Sequence, residues 1–116
     1  MKFVVALLAV ASLLWVVRRH WRRRTAREVV AAYAFPAFLR GKLQAAYPAL
    51  TAAQLAEVER GLRQFFVASG QAGGRFVAMP SKVVDTLWHE FILHTRAYEA
   101  FCRRAFGRLL HHTPAE

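Results

Sequence analysis

Fifteen residues from Phe3 to Val17 carry no charge, and an arginine-rich stretch follows at once, with Arg18, Arg19, Arg22, Arg23 and Arg24 around His20 and Trp21. This step from apolar to basic limits the chain more than any other feature. As a helix the run spans about 22 Å, against roughly 30 Å of hydrocarbon in a bilayer. Arg18 and Arg19 can snorkel, and Trp15 and Trp21 suit the interface, so a thin bilayer accommodates a single span. The rival reading is a cleaved secretory signal. Its only Ala-x-Ala is Ala9-Val10-Ala11, which leaves six apolar residues before the cut, and the arginines just beyond oppose translocation. The expectation is an uncleaved anchor in the inner (plasma) membrane. With Lys2 alone before the span and five arginines directly after it, the N-terminus is expected outside and residues 18–116 in the cytoplasm.

The net charge of +10 is mostly local. Seven of the 17 Lys and Arg fall within the first 27 residues, where there is no acid. Clustered arginines with a stacking Trp21 invite a nucleic-acid reading. A basic collar at Arg18–Arg24 is, however, already required by topology and by anionic lipid headgroups, so nucleic acid is not the expected partner. The chain is expected to divide at residue 24, into an anchor with its collar (1–24) and one helical domain (25–116). The lone Cys102 excludes an internal disulfide and suits a reducing compartment.

Within the domain the period is helical throughout. Thr25 and Glu28 have capping-box spacing, so a helix either begins there or continues from the anchor, with Val29, Val30 and Tyr33 on one side until Pro36. A short helix over Ala37–Ala46 turns Leu39, Leu43 and Ala46 inward. Thr51 and Gln54 repeat the box before Leu55, Val58, Leu62, Phe65, Phe66 and Ser69, with Glu59 and Arg63 paired outside and Gly70 as the stop. A glycine-punctuated connection follows, and its residues 75–79 could be a short extended segment. Ser81 caps the next helix, whose Val84, Leu87, Trp88, Phe91 and Ile92 form one stripe, and Asp85 and His89 lie one turn apart on its flank. From Thr95 the stripe resumes with Tyr98, Phe101, Cys102, Ala105 and Phe106 until Gly107. The fold class is all-α: a small bundle of four to five helices preceded by an N-terminal transmembrane helix.

The stretch from Met79 to Pro114 holds four of the five histidines, the only cysteine and the only aspartate. A metal reading would recruit Asp85, His89, Cys102 and His112 around zinc, with His94 and His111 in reserve. His89 and His94 are five apart and turn about 140° from one another, which excludes a metalloprotease pair. A hydrogen-bonded reading makes Asp85 a partner for His89 or a helix-start acid, Trp88 and Tyr98 core or binding aromatics with polar handles, and Cys102 a buried small hydrophobe. No phosphate loop and no Gly-x-Ser-x-Gly occurs.

Asp85, Trp88, His89, Tyr98, Phe101, Cys102, Gly107, Leu110 and His112 together follow a pattern that resembles the glycine-rich-domain-containing-protein-like family of uncharacterised bacterial and plant proteins. Where many relatives have a second His after Trp-His, this chain has Phe91. The resemblance implies a helical domain of unknown function, with the Leu-x-His ending folded back on the core. Catalytic residues are not assigned. Non-enzymatic binding or tethering, with room for a protein partner, is the expectation, and a membrane-tethered metalloprotein or hydrolase built on the Asp/His/Cys/His cluster is the alternative.

Overall fold

The apolar run and the first part of the bundle are one helix. In the computed structural model, which describes residues 1–112, α1 runs without a break over Lys2–Ala32. This helix is long and apolar enough to cross a membrane, and every residue from Phe3 to Val17 is exposed. Ala26 and Val30, further along, are buried in the bundle. The capping-box spacing at Thr25 starts nothing: Glu28 pairs instead with Arg24 at 3.0 Å, a contact within a continuing helix. The molecule measures 67 × 27 × 23 Å, with a radius of gyration of 17.7 Å against roughly 13 Å for a compact domain of this length. The excess is the projecting half of α1.

Four further helices follow: α2 (Phe38–Ala46), α3 (Ala52–Ala72), α4 (Lys82–Leu93) and α5 (Thr95–Phe106). The all-α expectation holds, and no strand occurs among the described residues; residues 75–79 are irregular. α3 packs on α1 and α4, α5 packs on α1 and α4, and α2 lies across α4. Local chemistry sets most of the ends. Thr51 and Gln54 make both bonds of a capping box, and Ser81 accepts from the Val84 N–H at 3.2 Å. Gly107 closes α5 at φ 72°, where a side chain would be strained.

α3 does not stop at Gly70 but runs to Ala72, before Gly73 in the left-handed region. Gly70 is needed inside the helix because α1 crosses there: a β-carbon would come 2.7 Å from Ala26 Cβ. At Gly61 the same close approach admits α4, whose Val84 would stand 2.9 Å from an added β-carbon. Glu59 and Arg63 also part company. Glu59 takes Arg40 of α2 at 2.6 Å, while Arg63 turns to the end of α1, donating to the carbonyls of Val30 and Tyr33 and lying 4.7 Å from the centre of the Phe35 ring. Those carbonyls have no partner within the helix, so a cation is well placed there.

The core is aromatic. Phe66, Trp88, Phe91 and Phe101 are essentially inaccessible, with Phe66 and Phe101 rings 4.9 Å apart and Phe65 and Trp88 4.8 Å apart. Leu39 and Leu43 are buried as the period requires, whereas Ala46, expected inward, is exposed at the last turn of α2.

Candidate functional site

α4 and α5 are joined through His94 alone, and this tight corner sets Trp88 of one helix against Tyr98 of the other. The Trp88 indole N–H donates to the Tyr98 hydroxyl at 3.0 Å, and that hydroxyl donates to the Leu110 carbonyl. The two bonds run in one direction, so each polarises the next. They draw the segment after Gly107 back across the bundle. His112 then reaches α4, where its Nε2 lies 2.8 Å from Asp85 Oδ1 and its ring centre 4.7 Å from that of Trp88. Asp85 also sits in the first turn of α4, where its charge meets the exposed N–H groups favourably.

Burial divides this clasp into two halves. Trp88 and Tyr98 are each 2% exposed, but the Asp85 and His112 side chains each keep 21% of their surface in water. Burial pushes the Tyr98 hydroxyl far above the usual phenol range, so it remains a donor at any ordinary pH. Cys102 is fully buried one turn beyond Tyr98, and its thiol is pushed up by burial, offset in part by the Leu110 backbone and by Tyr98. A thiol held protonated and out of solvent is a poor nucleophile.

The sequence-derived site residues are thus only partly brought together. His112 meets Asp85, and the His89 ring lies 6.0 Å from it, exposed to solvent. Cys102 belongs to the core instead. Among the described residues no three His, Cys, Asp or Glu side chains are placed to hold a metal ion, so the zinc set of Asp85, His89, Cys102 and His112 does not assemble. The helical period puts Cys102 inward but cannot say which inward neighbours it meets, and these turn out to be Tyr98 and the Leu110 backbone. Of the reserve ligands, His94 packs on Phe38 with ring centres 3.8 Å apart, and His111 is exposed. Arg63 was missed as a positioning residue, because Glu59 four residues earlier offered a simpler partner.

The fold and clasp define a small all-α domain with an apolar helix running out of it. A family model described as UCP032817-like matches residues 24–116, and the chain belongs to that family. This corrects the resemblance to the glycine-rich-domain-containing-protein-like family. The pattern behind it occupies only Asp85 to His112, and most of its positions are core or clasp residues whose spacing reports packing. No curated protein and no solved structure matches the chain.

Proposed function

We propose that this protein is a single-pass membrane protein whose helical domain acts in the cytoplasm as a non-enzymatic binding or tethering module. One observation carries the reading: α1 is a single helix whose apolar first half is exposed and whose second half packs Ala26 and Val30 into the bundle. Left in water, that apolar half would present a hydrophobic surface far larger than soluble monomers tolerate. A rigid link of this kind holds the domain at a set height above the bilayer, which a flexible linker would not do. The collar of Arg18–Arg24 supports an inward-facing domain and contact with anionic headgroups.

The clasp supports a structural role for the Met79 to Pro114 stretch. Asp85 and His112 form a pair without a nucleophile, since Cys102 is buried and protonated. Thr113 and Pro114 lie outside the described residues. Fractionation and paired topology reporters test the reading. The chain is expected in the inner-membrane fraction, with a C-terminal reporter active only in the cytoplasm. Recovery in the soluble fraction, or a C-terminal reporter active on the outer side, overturns it.

A further inference from the structure

The arginines of α1 do not stand alone. Where α1 leaves its apolar run, it forms one wall of a cleft of about 740 Å³, a size usual for small-molecule sites. Arg18, Arg19, Arg22 and Arg23 line it from α1, and Arg103, Arg104 and Arg108 line it from the end of α5 and the turn after it. Arg103 is paired with Glu99. The other six make no ion pair among the described residues, and no acidic residue among them lines the cleft. Gathering that much like charge is unfavourable unless an anion fills the space, and the planar guanidinium matches phosphate oxygens two at a time.

The position of the cleft narrows the choice of anion. Trp15, still within the apolar run, and Trp21, four residues past its end, both line it. It therefore straddles the level at which hydrocarbon gives way to headgroups. Resting on the membrane reading above, we infer that this cleft holds a lipid headgroup bearing two phosphates, supplied by the leaflet that α1 enters. A single phosphodiester would leave most of the six guanidinium groups unmatched. Two phosphates on one headgroup can engage both sets of arginines together, coupling the domain's end to the collar. The collar by itself would attract any anionic surface; the arginines on the α5 side distinguish a built site from that general attraction.

The test uses the full chain in neutral detergent, titrated with diphosphatidylglycerol, phosphatidylglycerol, phosphatidylcholine or inorganic pyrophosphate, and read by the emission of Trp15 and Trp21. Saturable binding is expected with diphosphatidylglycerol, tighter than with phosphatidylglycerol at equal phosphate. An arginine at an anionic surface contributes about fivefold. Arg104→Gln with Arg108→Gln should therefore weaken binding roughly 25-fold. Lys42→Gln with Arg96→Gln removes the same charge away from the cleft, and should change binding less than about twofold because screening falls off over some 8 Å.

Equal affinity in the two double variants, or equal affinity for the two lipids at matched phosphate, would overturn the site. Pyrophosphate binding as tightly as the lipid would overturn the lipid source. Failure of pyrophosphate to compete supports it. The cleft and the anchor can also fail separately. A chain recovered as soluble that binds pyrophosphate through Arg104 and Arg108 refutes the anchor, and a membrane-bound chain indifferent to those two arginines refutes the cleft.

Discussion

Replacing Tyr98 by Phe removes one oxygen and tests how the clasp divides its stability between buried and exposed halves. The hydroxyl accepts from Trp88 and donates to Leu110, so two hydrogen bonds go with it. Each contributes about 1 kcal/mol net. The consequences at the two ends differ. Leu110 is a half-buried residue, so its carbonyl can turn to water, but the Trp88 N–H belongs to a residue only 2% exposed and is left without a partner. An orphaned buried donor costs about 1 to 3 kcal/mol. The expected loss for Tyr98→Phe is therefore about 2 to 3 kcal/mol, which at this size lowers the melting temperature by roughly 10 °C or more. Asp85→Asn acts on a pair that keeps a fifth of its surface in water, so its loss should stay below about 1 kcal/mol. Both variants are compared with the parent in neutral detergent, by near-ultraviolet dichroism on heating and in denaturant. If Tyr98→Phe melts with the parent, or Asp85→Asn costs more than Tyr98→Phe, the division by burial is wrong.

Arg63→Met keeps the length of the side chain but leaves the carbonyls of Val30 and Tyr33 without their cation, so a loss of about 1 to 3 kcal/mol is expected in the same assay; an unchanged melt would show that water caps α1 equally well. Cys102 and Tyr98 both hold their protons more tightly folded than unfolded, so the stability they contribute is complete below about pH 9 and declines above it, as the unfolded thiol and then the unfolded phenol ionise. Denaturation midpoints across pH 7 to 11 should fall on the alkaline side, and Cys102→Ala should flatten the first part of that fall. Leu62 has no exposed surface, so Leu62→Asp places an unpaired carboxylate in the core and should abolish the cooperative melt, while retention of a parent-like transition would mean the site is open to water.

Much of this fold was legible along the chain because the signals are local. The capping box at Thr51 and Gln54, the Ser81 cap and the left-handed Gly107 act within a few residues of themselves, so the sequence alone determined where α3 and α4 begin and where α5 ends. The stripes from Leu55 to Phe66 and from Val84 to Phe91 likewise declared their buried faces, since 3.6-residue spacing turns each of them to one side. The apolar run before Arg18 needed no partner to be recognised as a candidate membrane span.

Only the tertiary structure decided what depends on a neighbouring helix. Gly70 reads as a stop in isolation, and it lies within α3 because Ala26 of α1 passes against it. Arg63 has an acceptable partner four residues away, but the bare carbonyls at the end of α1 bind it in preference. Thr25 has the chemistry of a cap, yet α1 continues through it into the buried Ala26 and Val30. The candidate site divides in the same way. One-turn spacing placed Asp85 and His89 together, but whether His112 would join them depended on the turn at Gly107 and on the Tyr98 hydroxyl that holds Leu110. Cys102 shares the inward face with the residues around it, and the packing of α5 gives it to the core. Spacing along a helix fixes direction from the axis, whereas the contact made in that direction is set by the crossing of two helices far apart in the chain.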